Sequence, residues 1–159
     1  MTMSGHRQYC TFAMGDDLYG IEVEHVQEVL RAQKLTSVPR APERVRGLMN
    51  LRGRIVMVLD LALQLGLPRS APDARSMNIV LRHEGGSAAL LVDRICEVVD
   101  VPDADFEPPP ATLRAPLKSM IRGAYKLSPK LLLVLMPELL LADDGDARIE
   151  ERPFQCDRR

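Results

Sequence analysis

Tryptophan is absent from these 159 residues, and tyrosine, phenylalanine and histidine occur only three times each. The aromatic shortage argues against single-strand nucleic-acid binding, which needs stacking platforms interleaved with basic residues. Arg44, Arg46, Arg52 and Arg54 do cluster, but no aromatic side chain is interleaved with them. His6, His25 and His83 have no second histidine, cysteine pair or carboxylate at a ligand spacing such as H-E-x-x-H, so no metal site is expected. Phosphate-cradling glycine loops and the G-x-S-x-G nucleophile turn are also missing, and the expectation is a protein without catalytic activity. Cys10, Cys96 and Cys156 are odd in number and widely spaced, which excludes a disulfide framework and fits a reducing cytoplasm. The longest apolar run, Leu131 to Met136, falls far short of the roughly 20 residues of a membrane span, and Met1 to Arg7 has no apolar leader stretch. Charge of one sign is lacking too: 21 basic residues face 22 acidic ones, so any binding has to be local.

What the chain does have is apolar residue, 46% of the total, in short runs rich in Val, Ile and Leu between turn signals. That pattern predicts a mostly β protein. Strands are expected at Tyr9 to Met14, Tyr19 to Glu22, Val26 to Ala32, Ile55 to Leu59, Asn78 to Arg82, Ala88 to Val92, Ile95 to Val101 and Leu131 to Leu135. Gly15-Asp16-Asp17 and Glu84-Gly85-Gly86 are the hairpin turns, where Gly and Asp tolerate positive φ. Short helices are expected at Ala41 to Leu48, at Leu61 to Leu65 behind an Asp60 cap, and at Glu138 to Leu141. Residues 1–8 and the charged segment 143–159 read as disordered ends of a single domain over 9–142.

The two halves of that domain resemble each other. Gly20 to Val29 lies over Ala89 to Val98 at an offset of 69, with Val23/Val92, Glu28/Glu97 and Val29/Val98 identical. Arg46 to Leu61 lies over Arg122 to Pro137 at an offset of 76, with the Arg-Gly pair, Leu51/Leu127, Val58/Val134 and Leu59/Leu135 identical. Chance likeness between apolar strands is the competing account, but the Arg-Gly and Glu matches are not apolar. Two small β units are therefore expected, over about 15–75 and 76–135 with their ends packing across, each about five strands. Units of that size remove exposed edges best by closing into SH3-like barrels and sharing a core. Val23, Val58, Val92 and Val134 are expected inside.

One polar set differs between the copies. The first has Asn50, Arg52, Gly53 and Asp60 where the second has Lys126, Ser128, Pro129 and Met136. Gly53 and Asp60 read as a turn and a helix cap. Arg52, a planar five-donor group that suits a carboxylate, reads as recognition.

Tyr19-Gly20-Ile21-Glu22-Val23, Val26-Gln27-Glu28-Val29, Thr36-x-x-Pro39-x-x-Pro42, Val45-x-Gly47-Leu48-x-Asn50-Leu51-Arg52-Gly53, Val58-Leu59-Asp60-Leu61 and Val92-Asp93-x-Ile95 follow one another in this chain. In order and spacing they resemble the CheW-like chemotaxis coupling proteins, and the likeness runs from about Tyr9 to Leu141. The resemblance implies two five-stranded SH3-like barrels with a shared apolar interior and no cofactor. It also implies an adaptor joining the regulatory domain of a CheA-type histidine kinase to the cytoplasmic tip of a methyl-accepting chemoreceptor, recruited to membrane receptor arrays. Carried over, the receptor-side residues are Val26, Glu28, Gly47, Asn50, Arg52 and Gly53, and the kinase-side residues are Tyr19, Thr36 and Pro39. Two departures from the family pattern, Met57 in place of a proline and Met136-Pro137 in place of an acidic residue, leave room for a chemosensory system with another output, such as pili, biofilm or a second messenger.

Overall fold

The computed structural model describes residues 5–68, 71–83 and 86–141, so the expectation for 143–159 and the Glu84-Gly85 part of one turn lie outside the described residues. Ten strands run in chain order: β1 His6–Met14, β2 Asp17–Glu22, β3 Val26–Arg31, β4 Val45–Leu51, β5 Arg54–Asp60, β6 Met77–His83, β7 Gly86–Val92, β8 Arg94–Pro102, β9 Ile121–Leu127 and β10 Lys130–Leu135. Three short helices join them: α1 Leu61–Leu65, α2 Leu117–Met120 and α3 Pro137–Leu140.

The strands form two five-stranded sheets. Sheet I has the order β8-β1-β2-β10-β9, and sheet II has the order β3-β6-β7-β5-β4. Replacing each strand of one sheet by the strand five places away in the chain gives the order of the other. The duplication read from the sequence is thus a duplication of topology. Its units exchange strands, however. β1 and β2 join β8, β9 and β10 in sheet I, while sheet II is β3 to β7, so neither sheet follows the expected division near residue 75. The exchange rests on two parallel pairings that link the halves, β2 with β10 and β5 with β7.

Neither sheet closes into a continuous barrel ladder. Each curls until its two edge strands are joined by a single bridge: Thr36 with Leu48 beside β3 and β4, and Glu107 with Ala124 beside β8 and β9. Both bridges carry two backbone hydrogen bonds of 2.8–2.9 Å. The Arg-Gly repeat has its physical reason here. A Cβ on Gly47 would stand 2.6 Å from the Thr36 carbonyl oxygen, and one on Gly123 would stand 2.5 Å from that of Glu107, so the crossing segment can lie down only on a residue without a side chain.

Burial divides into three cores. Sheet I holds Tyr9, Val101, Tyr125, Leu132 and Val134, and sheet II holds Met49, Leu51, Val56, Val58, Val80 and Ala89. The third and largest lies between the sheets, with Phe12, Tyr19 and Ile21 meeting Leu59, Ile79, Leu90 and Val92. Each fully buried aliphatic side chain there contributes about 1.5–3 kcal/mol relative to leaving it in water. Val58, Val92 and Val134 are buried as expected; Val23 is half-buried in the 3-10 turn Val23–His25.

The local departures have simple causes. The segment Ala41 to Leu48, expected as a helix, leads into β4, where Gly47, Met49 and Leu51 are buried at a period of two. β9 escaped notice because Ile121–Leu127 carries Arg, Gly and Lys between its apolar residues. Residues 6–8, expected to be disordered, begin β1, where His6, Arg7 and Gln8 pair with Pro102, Val101 and Asp100 of β8. α1 stands where expected, with the Leu63 N–H donating to Asp60 Oδ1 at 3.1 Å and Gly66 ending the helix at φ 71°.

Candidate partner-binding site

β4 and β5 are joined by two residues, Arg52 and Gly53, at φ 51° and 82°. Positive φ at both positions matches the twist of the flanking strands, which is why two-residue hairpins favour it. Glycine accepts that geometry freely and arginine does not. Asn50 Oδ1 accepts the Gly53 N–H at 2.9 Å and fixes the turn. Arg52 therefore projects from the tip of the hairpin, 74% exposed, on a backbone that few residues adopt.

From there its Nη1 donates to Glu28 Oε2 at 2.5 Å. Glu28 lies on β3, the opposite edge of sheet II, and its side chain is 19% exposed. Hydrogen bonding to Glu28, reinforced by the carboxylate charge, raises the Arg52 pKa above its ordinary value. Glu28 Oε1 is buried and has no partner among the described residues.

The structure thus brings Glu28, Asn50, Arg52 and Gly53 together. Val26, two residues before Glu28, is half-buried and packs against the core between the sheets. Gly47 is buried, and its close approach to Thr36 gives it a structural part. The kinase-side residues divide. Thr36 and Pro39 are exposed, although the backbone of Thr36 closes sheet II against Leu48. Tyr19 is a correction: it is 0% exposed, its ring stacks on Phe12 at 6.0 Å, and burial pushes its hydroxyl pKa up to about 12. β2 has a core on each face, and Tyr19 lies in the one between the sheets with no surface to offer a partner.

Two residues outside the carried-over set occupy positions equivalent to Val26 and Val29 in the repeat. Ile95 and Val98 on β8 lie 69 positions after Val26 and Val29, and Val26, Val29 and Ile95 all pack against the core between the sheets. Val98 is 59% exposed, among the most exposed large apolar side chains of the described residues.

The geometry defines a two-sheet protein in which an exposed arginine at a hairpin tip is tied to the opposite edge strand of its own sheet. The CheW-like domain family matches residues 8–145, and the chain belongs to that family. Among relatives, the chain is 29% identical over 137 residues to the chemotaxis protein CheW of Helicobacter pylori, covering 86% of this chain and 82% of that one. It is 36% identical over 104 residues to the protein FrzA of Myxococcus xanthus, covering 65% of each. Among solved structures it is similar to the scaffolding protein TtCheW of Thermoanaerobacter tengcongensis, with a TM-score of 0.80 and 27% identity over 93% of this chain and 94% of that one.

Proposed function

We propose that this protein is a non-catalytic adaptor that couples a CheA-type histidine kinase to methyl-accepting chemoreceptors. The observation that carries the reading is the likeness, over nearly the whole of both chains, to a solved scaffolding protein of the same family. The two departures in sequence do not disturb the scaffold. Met57 is half-buried against the core between the sheets, and Pro137 occupies the first turn of α3, where its missing N–H costs nothing.

In this account the receptor tip lies against the outer strands, with Val26 and Val29 of β3 and Ile95 and Val98 of β8 as apolar contacts. The Glu28–Arg52 pair supplies the polar end. Arg52, largely exposed, offers N–H groups beyond the one given to Glu28, so the pair can receive an acidic side chain of the partner. The kinase regulatory domain docks on sheet II around the exposed Thr36 and Pro39. The adaptor works in the cytoplasm and reaches the membrane through the receptor; among the described residues no helix is long and apolar enough to cross one.

Co-purification tests the reading. The tagged protein should retain a histidine kinase and a methyl-accepting receptor from its own cells. Retention of neither, with both present in the lysate, contradicts it.

A further inference from the structure

The internal duplication allows one end of sheet I to be compared with the same end of sheet II, position by position. In sheet I, Tyr9 pairs with Glu22 and Tyr125 pairs with Leu132; in sheet II, Asn78 pairs with Leu91 and Met49 pairs with Val56. These registers place Asn78 where sheet I has Tyr9, and Met49 where it has Tyr125. The closing bridges extend the match, with Thr36 opposite Leu48 as Glu107 is opposite Ala124, so Leu35 stands where sheet I has Phe106. Arg46 stands where it has Arg122.

The two mouths are filled differently. In sheet I the Tyr9 and Tyr125 hydroxyls are 3.4 Å apart, their ring centroids are 5.5 Å apart, and Phe106 lies 5.3 Å from Tyr125. The space left beside Arg7, Asp103 and Arg122 is about 170 Å³. In sheet II the three rings are replaced by an amide, a thioether and an aliphatic group, and the mouth holds a solvent-open hollow of about 420 Å³ whose border includes the polar Gln33, Glu43, Arg46 and Asn78 beside Leu35, Val45 and Leu91. Asn78 is 1% exposed, its Nδ2 reaches only the Met49 sulfur at 3.7 Å, and its Oδ1 has no partner among the described residues. Sulfur is a weak acceptor, and an amide buried this way is costly unless something else completes it.

We propose that the mouth of sheet II is a binding site for a phenol, which enters as Tyr9 and Tyr125 fill the mouth of sheet I. The ring lies among Leu35, Val45 and Leu91, the buried Asn78 amide turns toward it so that Oδ1 accepts the hydroxyl, and Arg46, 3.5 Å from Asp60 Oδ2, stands at the rim as Arg122 does in the other sheet. A guanidinium beside an aromatic ring adds a cation–π attraction. The volume suits one such ring with room for a substituent, within the range of small-ligand sites. The phenol is a free small molecule or the side chain of a partner's tyrosine.

The probe is p-cresol, titrated into the full-length protein with the methionine methyl groups labelled for NMR. A saturable shift of the Met49 methyl is expected, with toluene binding more weakly. Asn78→Leu should weaken p-cresol about fivefold, the factor of one ordinary hydrogen bond, and leave toluene unaffected. Asn78→Tyr, which installs the ring found in sheet I, should abolish p-cresol binding and raise Tm. Leu35→Phe should block the mouth without touching the amide, and serves if the Asn78 variants do not fold. Adding the kinase regulatory domain to the saturated protein separates the sources: release of p-cresol identifies a partner's tyrosine, and retention identifies a free phenol. A Met49 methyl that does not shift saturably, or p-cresol binding that survives both Asn78→Leu and Leu35→Phe unchanged, overturns the proposal and leaves a water-filled mouth. The site's binding of p-cresol does not depend on the adaptor reading, so the two can fail separately.

Discussion

Glu28 Oε2 and Arg52 Nη1, 2.5 Å apart, add a side-chain tie between the two edges of sheet II, β3 on one side and the β4–β5 hairpin on the other, beside the single backbone bridge of Thr36 and Leu48. The corresponding positions in the second half, Glu97 and Ser128, make no such tie, and the Glu97 carbonyl instead accepts the Thr11 hydroxyl. One half of a duplicated fold thus holds its edges with an ion pair that the other half does without. The arginine does so from a left-handed backbone position. That combination points to a part beyond stability.

Arg52→Gly separates the two parts. Glycine relieves the positive φ while losing the side chain, so Tm should move by no more than a few degrees, and receptor binding should fall at least tenfold. Thermal unfolding and a binding titration check both. Unchanged receptor binding would make Arg52 a turn residue only.

Reversing the pair tests whether its orientation matters. In Arg52→Glu two carboxylates meet across the edge; in Glu28→Arg with Arg52→Glu the attraction returns with its ends exchanged. The double variant should recover the stability lost by Arg52→Glu without recovering receptor binding, because the charges then face the receptor tip in the wrong places.

The two glycines under the closing bridges should be among the least replaceable. Gly47→Ala and Gly123→Ala each force the crossing segment away, and Gly47 also sits at φ 150°. A loss of about 1–3 kcal/mol or more is expected for each in urea unfolding. Gly53→Ala, at φ 82° with open space around its Cβ position, should cost less, about 1 kcal/mol.

Glu22 gives the fold a pH dependence. It accepts from Arg7 at 2.8 Å and from Arg122 at 3.0 Å, joining three strands of sheet I. Burial works to raise its pKa, but hydrogen bonding with Glu24 and Arg7 and the charges of Arg7 and Arg122 outweigh it, and the net shift is downward. A lowered carboxylate pKa contributes stability that is complete above the ordinary glutamate value of about 4.3 and is lost as pH falls through the lowered folded value. The Tm gap between parent and Glu22→Gln should therefore be widest near neutrality and shrink below about pH 4.

Much of the fold was legible because its signals are local. Short apolar runs marked eight of the ten strands among the described residues, Asp60 and Leu61 to Leu65 marked α1, and the offsets of 69 and 76 marked the duplication. Strand exchange was not legible, since β2 looks the same whichever sheet it joins, and only long-range pairing with β10 decides. For the site, the repeat comparison singled out Arg52 by its absence from the second copy. It did not reveal that Glu28 would be its partner, because 24 residues and a loop separate them. Tyr19 failed for the opposite reason: a tyrosine near a glycine suits a surface turn or a strand interior equally, and burial was settled by the other sheet.

The most direct test of the account is reconstitution of receptor-controlled kinase activity from purified components. With receptor-containing membranes and the kinase present, adding this protein should bring autophosphorylation under attractant control, and the Arg52→Gly variant should fail to do so while still binding the kinase. Kinase activity that ignores the protein, with both partners folded and present, would contradict the central claim.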